Sequence, residues 1–515
     1  MRYQWQDHQV DWDKNRVSRA LLECDAVYRS ELSELTCDLN RYHGVSWSSD
    51  QYEKVMGFWL RTFIHLLYDR WHGSGAGKPN QIPWDSRPAV DLLDFASYQA
   101  SDPLNESLYW QLATLKDKGH LNGLPLPERL SFSSSYRVLG TYKTPIQIHN
   151  PYHSYGLRGW RRHLTLNGFP RELTNLASEI RIRPKAMTSH QIDTRWRLSR
   201  IGQSTTGFRE AISVMVRIHA PALIVEGFRS MRSAASQHPI RRLYAGSAYH
   251  PPLMYLAAEG HKTTRLFLHQ HGGGYGLDKR LANEDYERAV SDCFFTWGWS
   301  EGATTRPLPV PPRIRSRSSG ALSGILLKCA NFPRYVHKIA YMEMASANQI
   351  LIEQTIQFAK ALTNHGLEIS YSPQDYGWNV RKQFADARVN IPARSRNDEK
   401  YAIHTCNYLG TAWLETLAAN IPTICFYDPK IYEFREAAIP FIEELKHVGI
   451  LHESPDSASD MVLSILGNPL KWWQSDGVQE ARLAFVQRYA RLEDGWLNAW
   501  TEEFSRVANL TCERD

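Results

Sequence analysis

The stretch "YAIHTCNYLGTAWLETLAANIPTICFY", residues 401–427, reads as strand, loop, helix and strand with little chain between them. "YAIHTC" is a short buried run, "GTAWLETLAAN" spaces its apolar residues as a helix does, and "IPTICFY" is a second buried run. Two buried strands joined through a helix are the unit of a parallel sheet. Working outward, "ALSGILLKCANF" opens with a strand, "NQILIEQTIQFAKALTNHG" is a helix ending at Gly366, and "LEISYSPQDYGW" is a strand and its loop. An earlier series repeats the alternation. "FREAISVMVRIH" is a helix and "APALIVEGF" a buried strand, followed by the strand in "HPIRRLYAGSAYH" and the helix "PPLMYLAAEGHK", which closes at Gly260. The strand and loop "TTRLFLHQHGGGYG" and the strand "RAVSDCFFTWGWS" complete it. Between the two series, "RPLPVPPRIRSRSSG" has four prolines, four arginines and no acid, so it is expected to be a linker.

The expected fold is therefore α/β, with two Rossmann-like domains facing a cleft. Residues 1–205 form a helical and irregular N-terminal region belonging to the first domain. Residues 206–305 are its Rossmann-like core, 306–320 the linker, 321–480 the second Rossmann-like domain and 481–515 a C-terminal helical segment packing back. Near the start, Val55, Trp59, Leu60, Phe63, Ile64 and Leu67 recur at helical spacing behind Ser48 and Ser49, which predicts a capped core helix. Residues 147–205 read as irregular and arginine-rich, either a solvated loop or a polyanion or phospholipid contact.

A chain of 515 residues with 43% apolar and 22% charged residues is an ordinary globular protein, too long for one core. The net charge of +6 permits an anionic partner without arguing for nucleic acid. Seven widely spaced cysteines with no CxxC pair disfavour a disulfide framework and a zinc site. The N-terminus "MRYQWQDHQVDWDKNR" has no secretory h-region, and no run of eighteen apolar residues occurs. A cytoplasmic protein is expected, with peripheral contact at the inner face of the membrane left open through 158–200.

Candidate chemistry gathers at the ends of the strands. After "HTC", Asn407, Gly410, Thr411 and Ala412 lead into a helix whose free N–H groups and positive dipole end suit a phosphate. Glu415, one turn in, could take ribose hydroxyls; otherwise it merely complements the dipole, and Thr411 is a simple cap. After "RLFL", the loop carries His269, Gln270 and His271 before Gly272, Gly273, Gly274 and Tyr275. The glycines permit positive φ and close approach, but neither GxxxxGK[ST] nor GxGxxG is present. His271 is the better functional candidate; His269 reads as a core histidine. Ser247 ends another strand. Asp375, Tyr376 and Trp378, with Arg381 beyond, end a third, where Asp375 is either an acid/base group or plain turn chemistry. Glu226 follows "ALIV" as a further carboxylate. "DWD", 11–13, resembles a metal-binding DxD but lies in a polar segment and is set aside.

"QHGGGYG", "SDCFFTWGWS", "SPQDYGW" and "NYLGTAWLETLAANIPTICFYDP", in this order, resemble a family of bacterial transferases found in surface-polysaccharide gene clusters. The likeness spans about 220–455 and extends more weakly to "LNRYHG". More distantly the layout is similar to GT-B glycosyltransferases, capsule Kdo transferases and CDP-glycerol transferases. The resemblance implies a GT-B-like fold and transfer of an activated sugar onto a glycan. Relatives often carry an acid after "GS", where this chain reads "AGSAYHPP".

The resulting expectation is a metal-independent glycosyltransferase acting in surface-polysaccharide or lipopolysaccharide synthesis. The first domain takes the acceptor, a glycan that is lipid-linked or free. The second takes a CMP- or UDP-linked sugar donor as substrate, with no cofactor. His271, Asp375 and Glu226 are the catalytic candidates. Gln270, Gly272, Gly273, Gly274, Tyr275, Ser247, Tyr376, Trp378 and Arg381 are expected on substrate, and Asn407, Gly410, Thr411, Ala412 and Glu415 on the nucleotide. Rivals are a nucleotide-sugar epimerase, a non-catalytic nucleotide- or glycan-binding protein and, without any RNP, KH or zinc signature, an RNA-binding protein.

Overall fold

A computed structural model describes residues 5–73, 87–140, 144–149, 177–310, 323–371, 375–390 and 400–510. Two helices open the chain. In Lys14–His43, Asp13 accepts from the Arg16 N–H at 2.8 Å and Gly44 ends the helix at φ 68°. The "DWD" sequence is thus a helix start. In Ser49–Gly73, Ser48 and Gln51 exchange side-chain and backbone bonds as a capping box.

The strands are β1 (Arg129–Phe132), β2 (Tyr136–Gly140), β3 (Ile146–His149), β4 (Ala177–Pro184), β5 (Thr188–Gln191), β6 (Arg242–Ala245), β7 (Arg265–His269), β8 (Cys293–Thr296) and β9 (Thr305–Pro307). After them come β10 (Ile325–Cys329), β11 (Leu367–Tyr371), β12 (Ile403–Cys406), β13 (Thr423–Phe426) and β14 (Leu451–His452). One seven-stranded sheet has the order β2-β4-β3-β6-β7-β8-β9, parallel except for β2 against β4. The second, five-stranded and wholly parallel, runs β11-β10-β12-β13-β14. Both are doubly wound Rossmann-like orders, whose ligand crevices lie at the C-terminal ends of the strands. Those ends face each other: the Gly273 N–H, after β7, donates to Thr411 Oγ1, after β12, at 3.0 Å. The layout is GT-B-like.

The main core runs through both halves, because residues 336–344 of the second cross onto the first. Val336, Ile339, Tyr341 and Met344 join it, and fully buried Arg70 donates to the Val336 carbonyl at 2.6 Å. At the chain's end, Trp500, Phe504 and Val507 form a helical stripe buried on the first sheet against Tyr244, Phe267 and Phe295. Among the described residues no helix is long and apolar enough to cross a membrane.

Three segments differ from the sequence reading. "ALIV", 222–225, is a run of turns, with the Ala222 and Leu223 N–H groups bonded to Ala89 and Val90 carbonyls; a four-residue apolar run does not distinguish a strand from other buried chain. Residues 147–205, expected to be irregular, supply β4 and β5 and most of β3. The arginines of "EIRIRP" alternate with buried Ile180 and Ile182, a strand period that their charge disguises. Arg306 and Pro307, expected in the linker, are the end of β9, with Leu308 and Val310 bonded to Thr296 and Arg491. Residues 158–176 of the basic segment and 311–320 of the linker lie outside the described residues.

Candidate active site

β7 ends at His269, which packs edge-on against Trp500 with ring centroids 5.2 Å apart and belongs to the core. The loop that follows is fastened from within. Gln270 is fully buried: its Oε1 accepts from the Trp297 N–H at 3.0 Å and Trp299 Nε1 at 2.8 Å, and its Nε2 donates to the Gly272 carbonyl. Its amide holds the loop to the turn after β8, which corrects its expected place on substrate. Tyr275, also buried, donates from its hydroxyl to Glu287 Oε2 at 2.8 Å.

Glu287 comes from the helix Ala282–Val290 and has no exposed surface. His271 Nε2 lies 3.2 Å from its Oε1 and 2.8 Å from the Tyr275 hydroxyl, and the Ala248 N–H reaches Oε1 at 3.3 Å. Tyr249 sits edge-on to the imidazole, 5.7 Å between centroids. Its hydroxyl accepts from Asn283, whose Oδ1 takes Lys338 Nζ of the crossing segment at 3.1 Å. One helix turn from Glu287, buried Glu284 accepts from the Gly276 N–H at 2.8 Å and pairs with Arg435 of the second half at 2.9 Å. The two glutamates therefore hold the loop at both ends.

The glycines serve the meeting of the two halves. A Cβ on Gly273 would stand 2.6 Å from the Gly410 carbonyl oxygen and 2.7 Å from the Thr411 nitrogen. Gly274, at φ 87°, wraps Asp278. Their expected place on substrate is thus corrected for Gly273, which packs on the second half, and for buried Gly274; Gly272 is half-buried. Ser247 is buried in the turn after β6, and its neighbour Gly246 faces open space.

Opposite, the helix Thr411–Ala418 starts at Gly410 with no side chain capping its N–H groups. Thr411 and Ala412 are half-buried there, and Glu415 lies one turn in. Asn407 is buried instead, with its Oδ1 on the Ala330 N–H at 3.1 Å and its Nδ2 on Thr355 at 2.7 Å. It ties the end of β12 to the end of β10, so its side chain is not available to a nucleotide.

The third group stands apart. Asp375 accepts from the Asn379 and Val380 N–H groups at 2.8 Å each, starting the helix Val380–Asp386. The turn chemistry prevails over the acid/base expectation. Trp378 is buried and donates to the Phe332 carbonyl, a core residue and not a substrate contact; Tyr376 is half-buried at φ 52° and Arg381 is exposed on the helix. Glu226 is not brought to the cleft loop either. Arg197 forks onto both its oxygens at 2.8 and 2.7 Å and caps the carbonyls of Ile218 and Ala220. The carboxylate expected to be catalytic is one half of a buried ion pair.

A clasp beside the loop joins the halves. The Lys279 N–H donates to the Glu433 carbonyl and the Arg435 N–H to the Leu277 carbonyl, flanking a bridge between Asp278 and Phe434. Burial pushes the Asp278 carboxyl up to about 7, against the lowering effect of the Tyr432 hydroxyl bonded to it, and Glu343 and Glu284 add to the rise.

Sequence reasoning missed Glu287, Glu284, Tyr249 and Lys338. A signal for the glutamates was present: in "ANEDYERAV" they fall three apart, on the same helix face as apolar Val290. Lys338 follows only from the crossing segment, which no local pattern reveals.

Taken together, an oriented histidine in one loop and a helix start without a side-chain cap in the other meet where the two α/β halves touch. The chain belongs to the LIC12162 family of transferases, which it matches over residues 7–504. No curated protein matches it in sequence. Among solved structures, it is similar to an S. aureus TarM mutant in complex with Fondaparinux, alpha-GlcNAc-glycerol and UDP, at 12% identity and TM-score 0.35, covering 51% of this chain and 55% of that one. A second TarM structure gives 11% identity and TM-score 0.37 over 56% and 60% of the two chains. The spinosyn rhamnosyltransferase SpnG gives 12% and 0.31 over 70% and 100%. The chain thus spans little more than half the length of the TarM structures.

Proposed function

We propose that this transferase moves a sugar from a nucleotide-activated donor to a glycan acceptor, in the synthesis of a surface polysaccharide or lipopolysaccharide. The observation that carries the reading is the 3.0 Å contact from the Gly273 N–H, two residues after His271, to Thr411 Oγ1, at the start of a helix whose N–H groups have no side-chain cap. Those N–H groups suit the donor's phosphates, with Glu415 on the ribose. His271 faces the acceptor hydroxyl as base. The reading calls on no metal, since Asp13 of the DxD-like sequence caps a helix. A CMP- or UDP-linked donor and a lipid-linked acceptor, met at the inner face of the membrane through 158–200, complete it.

A thermal-shift screen of CMP-, UDP-, GDP- and CDP-linked sugars, followed by product analysis with and without glycan, tests the reading. One donor class should raise Tm and yield a glycosylated product. Stabilisation with no transfer would make the protein a binding module, and sugar conversion without acceptor would make it an epimerase.

A further inference from the structure

The directions of the hydrogen bonds around His271 fix more than its position. A carboxylate only accepts, so the 2.8 Å contact between the Tyr275 hydroxyl and Glu287 Oε2 uses the phenol's single proton. That proton stays on the phenol: burial first, and then the charge of Glu287, push Tyr275 well above the usual range. The phenol oxygen meets His271 Nε2 at 2.8 Å and is left there as acceptor. Glu287 Oε1, 3.2 Å from the same nitrogen, accepts too. Both contacts require a hydrogen on Nε2. The ring's other nitrogen, Nδ1, has no hydrogen-bond partner among the described residues, and the side chain keeps 20% of its surface exposed. A flipped ring would turn a C–H toward Glu287 and lose both bonds.

We propose that Glu287 is a positioning residue that, with Tyr275, holds His271 as the Nε2–H tautomer and makes Nδ1 the atom that accepts the acceptor's proton. The inference rests on the glycosyl-transfer reading for its chemistry. The acceptor oxygen bonds to the anomeric carbon, its proton passes to Nδ1, and the electron pair of the breaking sugar–phosphate bond leaves with the nucleotide. Glu287 touches neither substrate. It holds the imidazole in place and stabilises the imidazolium that forms. The Ala248 N–H, from the turn after β6, fixes the carboxylate in turn. The tautomer therefore depends on three separate segments: the loop after β6, the loop after β7 and the helix that follows.

The test is a long-range proton–nitrogen correlation spectrum of histidine-labelled full chain, with the His271 signals identified by their loss in His271→Asn. The wild type should show a protonated Nε2 and a bare Nδ1. Glu287→Gln should mix the tautomers and lower turnover about a hundredfold while the donor KM changes little, and Glu287→Asp should recover part of both. If Glu287→Gln does not fold, Tyr275→Phe keeps the carboxylate and its Ala248 bond and should leave Nε2 protonated, because Glu287 Oε1 still requires that hydrogen. A protonated Nδ1 in the wild type or in Tyr275→Phe, or an unchanged tautomer in Glu287→Gln, would overturn the inference. The spectrum needs no substrate, so it fails or succeeds apart from the transferase reading: the expected tautomer with no sugar transfer would leave the inference standing and remove that reading.

Discussion

The two walls of the cleft are built differently. On the first, side chains do the work from behind: Gln270, Tyr275, Glu284 and Glu287 are all buried and hold one partly exposed imidazole forward. On the second, the groups proposed for the donor are backbone N–H at Gly410, Thr411 and Ala412, while Asn407, Asp375 and Trp378 are occupied in fastening strand ends and helix starts. An imidazole needs a partner to set its tautomer and orientation, whereas a helix start is polarised by its own peptide dipoles. At Gln270, Asn407 and Asp375 alike, a polar side chain beyond a strand end is spent on holding the backbone.

Breaking the assignments that the comparison rejects should give the largest stability effects. Glu226→Gln leaves Arg197 buried and unpaired, at a cost of about 3–5 kcal/mol in chemical denaturation. A stable Glu226→Gln variant with lost turnover would restore the catalytic assignment. Asp278 comes next. Its carboxyl ionises near 3.8 when free and near 7 here, so the unfolded chain releases a proton the native chain keeps. Stability should fall as pH rises from about 4 to 7, by roughly 2–4 kcal/mol, and Asp278→Asn should flatten that slope. The opposite slope, after allowance for other groups, would place a cation on Asp278.

Gly273→Ala sharpens the contact between the walls. Its methyl has to push the Gly410–Thr411 backbone away, which should cost about 1–3 kcal/mol and reduce turnover. Gly272→Ala, whose Cβ would stand 3.4 Å from Thr411 Oγ1, should be milder. Equal effects would mean that the halves do not meet through Gly273. The smallest effect is expected at exposed Arg381, where Ala should change stability by less than about 0.5 kcal/mol. A large loss of donor affinity there would return Arg381 to the substrate.

Much of the fold was legible because the strands and helices of a parallel sheet carry strong local periods and short connections. β10 to β13 and β6 to β8 lie inside the stretches read from sequence. β4 was not legible, because alternate arginines read as charge before they read as a strand period. At the site, the loops were found and several side chains misread. Gln270 and Asn407 look like ligand contacts in the sequence, and only their partners, at Trp297 and Thr355, show them to be fasteners. Glu287 lies 16 residues from His271, across a turn and most of a helix. Its service to that histidine is a fact of packing, and no spacing rule announces it.

The most direct test of the central claim, that the two walls divide the labour, is single-turnover transfer from bound donor in His271→Ala. Donor-induced thermal stabilisation should persist, because the proposed phosphate site is backbone of the other half, while the transfer rate falls about a hundredfold or more. Full transfer by His271→Ala, or loss of donor binding along with it, would contradict the account.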